Sequence, residues 1–168
     1  MTGTMDPSGP VEPTIDLASI DDVPELARLR WELYVEQEGT REPVDAYTDR
    51  FVAFALQALG SDRWRVWVAR GPAGPVAAMW LQTIRRIPVP GKSNGPIGYL
   101  TNVYVRPGHR NRGLGTRMLE RILAWCREQG YSCVITWPAA RSRPFYRRSG
   151  FDRPDDPFVV DLVRDEPR

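Results

Sequence analysis

The stretch from Tyr99 to Gln129 constrains the fold of this 168-residue chain more than any other. Residues 99–105 are mostly β-branched or aromatic, which predicts a buried strand. Arg106-Pro107-Gly108 ends that strand, since proline cannot donate to a ladder. Apolar residues then recur at helical spacing up to Gly130. A strand, a glycine-bearing turn and a helix in this order aim free N–H groups and a positive helix end at one point, which suits a phosphate or pyrophosphate.

Two common phosphate loops fit this turn poorly. Gly108 and Gly113 have the outer spacing of a P-loop, but Leu114-Gly115 stands where Lys-Ser/Thr would follow. The dinucleotide fingerprint fails because Met118 replaces its third glycine. A bare G-x-G is also compatible with an ordinary tight turn before an ordinary helix.

The longer string Val105-x-Pro107-x-x-Arg110-x-x-Gly113-Leu114-Gly115 resembles the acyl-CoA-binding motif of the GNAT superfamily of N-acetyltransferases. The resemblance implies that acetyl-CoA is the co-substrate, with no metal. It implies that the residues binding acetyl-CoA are Val103, Tyr104, Val105, Arg110, Asn111, Arg112, Gly113, Leu114, Gly115, Thr116, Ser142 and Tyr146.

A second string, from Trp137 to Phe151, looks like the later motif of the same family, in which a helix carrying Phe-Tyr is followed by Gly-Phe. Taken alone, Phe145 and Tyr146 would more often be packing residues. In the family, two parallel central strands splay apart and the thiol arm of the cofactor enters the gap. The corresponding strands here are residues 99–105 and 132–137.

The resemblance also implies catalytic roles. The backbone N–H of Val103 would bind the oxygen on which negative charge develops, and Tyr146 would protonate the departing thiolate. Some members place a glutamate at the start of the central strand, but residues 97–105 contain no carboxylate. Deprotonation of the amine is therefore assigned to water, with Glu36, Glu38 or Glu42 as candidate helpers.

The remaining elements complete the β, α, α, β, β, β, α, β, α, β order of the GNAT fold, an α+β class with a mixed α/β sheet whose parallel central strands splay and are flanked by helices. Residues 1–13 are expected to be disordered or loosely attached, and 14–168 to form a single acetyltransferase domain. We predict the other strands over 14–20, 63–70 (half-buried), 76–87, 132–137 and around 151 and 158–163. We predict the other helices from an Asx N-cap at Asp22 to Gly39, over 45–59 and over 141–149.

Composition favours a soluble protein, with 42% hydrophobic and 26% charged residues. The sequence has no apolar run long enough for a bilayer and no secretory signal pattern at its start, so we expect a cytoplasmic location. Two cysteines and one histidine cannot make an ordinary zinc site. Cys126 and Cys133 lie in apolar segments and are predicted to be core thiols. Arginine supplies 22 of the 23 basic residues, which indicates a GC-rich, bacterial genome.

The charges are segregated along the chain. Residues 1–50 carry 12 acidic side chains against 4 arginines, whereas residues 106–148 carry 10 arginines against 2 acids. A basic half around the turn suits a phosphate-rich ligand such as coenzyme A. The acidic half weakly favours a cationic amine as the second substrate.

These observations predict an N-acetyltransferase that moves an acetyl group from acetyl-CoA to a primary amine by direct attack in a ternary complex. The expected partner is a small-molecule or peptide amine, with no nucleic acid and no membrane; a homodimer is compatible with the sequence. The alternative is a non-catalytic acyl-CoA sensor on the same fold, which would dispense with Tyr146. A nucleic-acid module is disfavoured, because the arginines lack interleaved exposed aromatic residues. Candidate aromatic residues of an acceptor pocket are Trp31, Tyr34, Trp67 and Trp80, although core packing explains them equally well.

Overall fold

The computed structural model describes residues 11–39, 42–91 and 94–152. These fall into two compact units, one extending to Trp137 and the other beginning at Pro138. The first unit contains a five-stranded sheet in the order β1-β2-β3-β4-β5, antiparallel except for the parallel pair β4–β5. Its strands are β1 (Thr14–Leu17), β2 (Trp64–Gly71), β3 (Gly74–Ile84), β4 (Ile97–Val105) and β5 (Cys133–Ile135). The predicted mixed sheet of an α+β fold is confirmed.

Three helices pack on this sheet: α1 (Val23–Glu38), α2 (Val44–Leu59) and α3 (Leu114–Glu128). α1 and α2 share a buried apolar cluster with the side chains of Val66 and Val68 of β2. The intervening Trp67 contacts Trp125 of α3 instead, with ring centroids 5.5 Å apart. Because successive side chains of a strand point to opposite faces, α3 covers the face of the sheet opposite α1 and α2.

The prediction that β2 is half-buried was wrong. Residues 66–69 are all buried, so the strand is covered on both faces rather than on one. The sequence alternation of Arg65 with Trp64 and Val66 suggested a solvent-facing side. Arg65 is instead only partly exposed, with its guanidinium carbon 6.0 Å from the centre of the Trp125 ring. Its long side chain lies along apolar surface, and its Nη1 donates to the Trp64 carbonyl at 3.0 Å.

The start of α1 differs from its prediction. Asp22 precedes the helix, but its carboxylate forms no N-cap hydrogen bond with it. It accepts hydrogen bonds from the backbone N–H and the hydroxyl of Ser19, at 2.7 and 3.2 Å, across a short 3-10 turn. It also pairs with both terminal nitrogens of Arg70. β1 therefore ends at Leu17 rather than Ile20, because residues 20–22 are taken up in this turn.

β4 and β5 pair over only three residues each, Ile97–Tyr99 with Cys133–Ile135. β5 is thus shorter than the predicted 132–137, while β4 continues to Val105. On its other side β4 stays paired with β3 up to Val105, with a bulge at residues 102–103. Asn102 in this bulge has a positive φ of 49°. The two parallel strands therefore separate beyond Tyr99, as the resemblance implied.

The second unit begins with a 3-10 turn, Ala140–Ser142, and continues as α4 (Arg143–Arg148), which ends before Gly150 at φ 90°. The predicted helix 141–149 is therefore shorter, and its first turn is 3-10. Phe151 is described without strand structure, and the predicted strand 158–163 lies outside the described residues.

Candidate active site

The turn between β4 and α3 exposes backbone N–H groups at one end of the helix. Gly113 precedes α3 with φ 75°, and no side chain caps the helix there. The Arg117 N–H donates to the Gly113 carbonyl at 3.0 Å, so the helical ladder begins at that residue. The N–H groups of Leu114, Gly115 and Thr116 precede this first bond and have no partner within the helix. Together with the helix dipole they form a site for an anion.

The surface of the turn has room for a pyrophosphate. A Cβ atom built on Gly108 or Gly113 would meet no atom of the described residues within 4 Å. Leu114 is buried and anchors the first turn of α3 against the core, while Asn111, at φ 59°, and Arg112 are exposed. This open turn with several N–H donors is suited to a pyrophosphate, which is the group of coenzyme A that the Arg110-x-x-Gly113-x-Gly115 spacing predicts at this position.

The side chain of Arg110 is engaged within the protein. Its Nε donates to the Val105 carbonyl at 2.7 Å, and its Nη2 donates to both carboxylate oxygens of Glu36 in α1, each at 2.8 Å. Its guanidinium carbon also lies 5.3 Å from the centre of the Tyr104 ring. Arg110 therefore joins the turn to β4 and to α1, and this role was not predicted from the sequence.

Tyr104 is held by the same carboxylate. Its hydroxyl donates to Glu36 Oε1 at 2.6 Å. Burial, reinforced by the hydrogen bond and the negative charge of Glu36, raises the pKa of the Tyr104 phenol well above its usual value. The phenol thus stays protonated, and Glu36 is placed as an anchor of β4 and the turn. The only sequence signal for this anchoring role was that Glu36 follows Glu32 by four residues, which places both carboxylates on one face of α1.

A second arginine, Arg106, connects the end of β4 to α1 through hydrogen bonds. Arg106 forms hydrogen bonds with both carboxylate oxygens of Glu32, with Glu25 Oε2 at 3.1 Å, and with the Pro75 carbonyl at 3.1 Å. The bonds and charges of Glu32 and Glu25 raise the pKa of the Arg106 guanidinium. Glu25, Glu32 and Glu36 thus form one carboxylate row on α1 that holds the chain on either side of the turn.

This pairing joins some of the charges that are segregated in the sequence. Acids of the N-terminal segment pair with arginines that follow β4, and Glu12 similarly pairs with Arg117 of α3. The opposite charges therefore meet inside the fold. Arg112 is exposed and has no carboxylate within ion-pair distance among the described residues, which makes it the arginine of the turn best able to meet a ligand phosphate.

Beyond Tyr99, one edge of β4 pairs with no other strand in the part of the chain that the structure describes. The Arg106 N–H bonds to the Val76 carbonyl of β3, so Val105 and Val103, at alternate positions, direct their N–H groups to the opposite edge. Arg110 reaches the Val105 carbonyl on that same edge. The described pairing with β5 stops at Tyr99, whose ring packs edge-on against Trp137 at 4.9 Å between centroids. Among the described strands, this edge of β4 at Val103 and Val105 therefore has no strand partner.

A pocket of about 410 Å³ lies on the α1–α2 side of the sheet. It is lined by Arg30, Tyr47, Arg50, Phe51, Phe54, Trp64, Trp80, Tyr99, Thr101 and Asn102.

Of the four aromatic residues predicted for an acceptor pocket, only Trp80 lines this one. Trp67 faces α3, Trp31 donates to the Glu42 carbonyl at 3.0 Å, and Tyr34 lies beneath the Arg30 guanidinium, 4.6 Å away. The sequence did not indicate Phe51, Phe54 or Trp64, because their convergence depends on how α2 packs across the sheet.

Ser142 and Tyr146 belong to the second unit. Ser142 closes the 3-10 turn before α4, and Tyr146 is buried at 6% exposure. Its ring packs edge-on against Phe145 and Phe151, with centroids 5.0 and 5.4 Å away. Tyr146 therefore has the aromatic packing role that Phe145 and Tyr146 would more often have when the motif is taken alone.

The two cysteines have different environments. Cys126 is buried in α3, and burial raises the pKa of its thiol to about 11. The prediction of a second core thiol was wrong, because Cys133 is exposed at the first position of the short strand β5. A protonated buried thiol is a poor nucleophile, so Cys126 is placed as a packing residue.

No helix in the described part of the chain combines the length and the apolar character that crossing a membrane requires.

Comparison with known proteins gives a family match over most of the chain. Residues 14–153 match the family model described as the acetyltransferase (GNAT) domain. An aminoglycoside N(6')-acetyltransferase type 1 from Stenotrophomonas maltophilia is 27% identical over 118 residues, which is 70% of each chain.

Solved structures share the fold at lower identity. A predicted acetyltransferase from Clostridium acetobutylicum, solved with acetyl-CoA, superposes with a TM-score of 0.75 at 23% identity, covering 89% of this chain and 96% of that one. An aminoglycoside N-acetyltransferase in complex with coenzyme A gives a TM-score of 0.70 at 17% identity, covering 97% of this chain and 100% of that one. At these identities the likeness establishes the fold.

Proposed function

The chain belongs to the GNAT acetyltransferase family, and from this premise we propose that it transfers the acetyl group of acetyl-CoA to the primary amine of a small molecule. The observation that carries the proposal is the edge of β4 beyond Tyr99, which has no strand partner among the described strands and leads into the turn at the start of α3. A strand edge and a helix end placed in this way suit an extended arm that ends in a pyrophosphate.

We assign the acetyl-CoA contacts residue by residue. The N–H groups of Gly113 to Thr116 bind the pyrophosphate, assisted by Arg112 and Asn111 on the exposed side of the turn. Val103, Tyr104 and Val105 receive the extended arm along the strand edge, and Ser142 belongs to the later motif that contacts the cofactor. Arg110 contributes by fixing the turn through Val105 and Glu36.

Chemistry at the thioester needs a donor for the developing oxyanion and a proton for the departing sulfur. The Val103 N–H is the proposed oxyanion donor, supported by its place next to the bulge on the open edge of β4. Tyr146 is the proposed general acid, supported by the order of the two sequence motifs. In this proposal residues 14–168 act as one acetyltransferase domain in which the acceptor attacks directly within a ternary complex.

The acceptor is proposed to occupy the aromatic pocket, which reaches β4 at Tyr99, Thr101 and Asn102, immediately before Val103. Relatives that act on aminoglycosides support a small-molecule amine in general terms. The amine must be neutral to attack, so its proton passes to water in the absence of a carboxylate from residue 97 to 105.

The direct test is thiol release from acetyl-CoA with a panel of primary amines, run beside calorimetric titration of acetyl-CoA itself. We expect saturable binding and amine-dependent thiol release. Binding without release from any amine would favour the acyl-CoA sensor, and absence of binding would reject the cofactor site.

A further inference from the structure

The pocket on the α1–α2 side of the sheet is built mainly from aromatic rings. Six of its ten lining residues are aromatic, and no carboxylate lines it among the described residues. Phe54 stacks on Trp80 with centroids 6.0 Å apart and planes inclined by 28°, and Trp64 packs edge-on against both. Such a wall favours a flat, apolar group over a polyhydroxylated one.

The charged side chains at this pocket are both arginines. Arg50 is exposed, and its Nη2 is bound by both carboxylate oxygens of Glu42, at 2.6 and 2.8 Å. Arg30 has no carboxylate within ion-pair distance in the described ranges; its contacts there are the Asn102 amide oxygen and two tyrosines, Tyr34 and Tyr47. Within the described part of the chain, the pocket therefore contains one guanidinium, that of Arg30, whose charge is not balanced by a carboxylate.

Tyr47 does not supply the missing negative charge. Burial raises the pKa of its phenol, against the opposing effect of Arg30, so the phenol is protonated at neutral pH. Tyr34, across the guanidinium plane, offers a ring face rather than a charge. A guanidinium in this setting is suited to a carboxylate, which it can bind through two parallel hydrogen bonds.

Arg30 also contacts the residue that precedes Val103, whose backbone N–H is the proposed donor to the oxyanion. Its Nη1 is 3.2 Å from Asn102 Oδ1, and Asn102 is the residue of the bulge that precedes Val103. A ligand whose carboxylate meets Arg30 is thus next to this bulge. An amine one carbon away from that carboxylate would lie near Asn102, the residue before Val103, while the side chain of the ligand would meet the aromatic lining of the pocket, which includes Phe54 and Trp64.

We propose that the acceptor is an aromatic α-amino acid, bound through its carboxylate by Arg30 and through its side chain by the ring wall of the pocket. This inference rests on the proposed function and names its substrate class. It replaces the cationic acceptor that the acidic N-terminal half suggested, because the described acids Glu25, Glu32 and Glu36 are paired with arginines elsewhere.

The transfer balances without a further reactant. The ammonium of the amino acid gives one proton to water, and the neutral nitrogen forms a bond to the acetyl carbon. The carbon–sulfur bond then breaks with its electron pair on sulfur. The nitrogen loses its second proton as the amide forms, and sulfur takes up one proton to give the free thiol of coenzyme A.

Four acceptors test the need for a carboxylate and the need for an aromatic ring separately: phenylalanine, phenylalaninamide, alanine and alaninamide. Kanamycin serves as a polycationic reference. Thiol release gives kcat/KM for each, and calorimetry on the protein saturated with coenzyme A gives each affinity without turnover. We expect phenylalanine to exceed both phenylalaninamide and alanine by about tenfold or more, since one charge-assisted contact or one buried ring corresponds to at least that factor.

Variants of two arginines on α1 provide the matched comparison. Arg30→Gln should remove the preference for the carboxylate and keep the preference for the ring, and Arg30→Lys should restore part of the carboxylate preference. Arg28→Gln should change neither, because Arg28 is exposed, pairs with Glu25 and does not line the pocket.

The outcomes distinguish the inference from the proposed function. Preference for kanamycin or for the amides would overturn the substrate class and leave the acetyltransferase proposal standing. Phenylalanine binding that Arg30→Gln abolishes, without thiol release from any amine, would support the ligand class and overturn the proposed reaction. Failure of phenylalanine to bind would overturn the inference.

Discussion

A single guanidinium nitrogen of Arg110 donates to both carboxylate oxygens of Glu36, at 2.8 Å each, although the two residues lie 74 positions apart in the chain. Glu36 is the third residue from the C-terminal end of α1, which ends at Glu38, and Arg110 lies in the turn that precedes α3. The same carboxylate accepts the Tyr104 hydroxyl, so one side chain of α1 positions both β4 and the turn. The shape of the proposed pyrophosphate site thus depends on a helix that contributes no residue to the motif.

Removing this carboxylate should loosen the turn. In Glu36→Gln the charge that holds Arg110 is lost, and we expect the free energy of unfolding to fall by about 1 kcal/mol, because the pair is partly exposed. The dissociation constant for acetyl-CoA should rise several-fold as the turn loses its fixed position. Thermal unfolding and calorimetry measure the two effects. Glu38→Gln is the control, as Glu38 is exposed on the same helix; equal effects in both variants would contradict the role of Glu36.

Gly113 should be required for ligand binding more than for folding. Gly113→Ala places a Cβ at φ 75°, which costs about 1 kcal/mol of stability, but that atom meets none of the described residues within 4 Å. It projects where the pyrophosphate is proposed, so acetyl-CoA affinity should fall at least tenfold, and Gly113→Val should abolish binding. Gly130→Ala is matched at the other end of α3, with φ 72° and open space. The proposal fails if calorimetry gives both alanine variants the same affinity as the parent.

The ion pair of Asp22 and Arg70 should make stability depend on pH. Hydrogen bonds and the charge of Arg70 lower the pKa of Asp22 below its usual 3.8, although burial opposes this. A lowered pKa in the folded state means that the stabilisation is present above pH 3.8 and is lost as the pH falls through the folded value. Asp22→Asn should therefore lose about 2 kcal/mol at pH 7, and the difference from the parent should shrink below about pH 4. Urea unfolding at pH 7 and pH 3 measures it; a difference that stays constant would exclude this linkage.

Tyr146→Phe should separate catalysis from packing. The ring contacts with Phe145 and Phe151 remain, so the melting temperature and acetyl-CoA affinity should be retained. Loss of a general acid reduces kcat by about 10²–10⁴-fold, and we expect the lower end because a thiolate leaves readily. Steady-state kinetics across the pH range test this, with Tyr131→Phe as a control that removes a phenol bonded to Thr83. Unchanged kcat in Tyr146→Phe would make Tyr146 a packing residue.

Local features of the fold were predictable because they depend on neighbours in sequence. Helical spacing of Leu26, Leu29 and Leu33 predicted the buried stripe of α1, and Gly39 was predicted to end it, which its φ of 66° confirms. The turn around Gly113 was likewise readable, since a glycine before an apolar helical repeat marks a helix start. The order of elements followed from these segments, and with it the family.

Positions that depend on distant contacts were read incorrectly or not at all. Asp22 was expected to cap α1, but Arg70 and Ser19 bind its carboxylate instead. Cys133 was expected in the core, yet it is exposed at the first position of β5. For Asp22 the local sequence allowed the predicted role, but Arg70, 48 positions along the chain, binds the carboxylate instead.

The sequence by itself determined the family, the turn of the proposed pyrophosphate site and the helix that follows it, because backbone conformation there is governed by glycine and by a short-range apolar repeat. Only the tertiary structure decided what surrounds the proposed acceptor. Arg30, Phe54 and Trp64 come from α1, α2 and β2, and their convergence depends on how two helices pack across a twisted sheet. The same packing brought Glu36 to Arg110 and left Arg30 without a carboxylate among the described residues, which no spacing along the chain encodes.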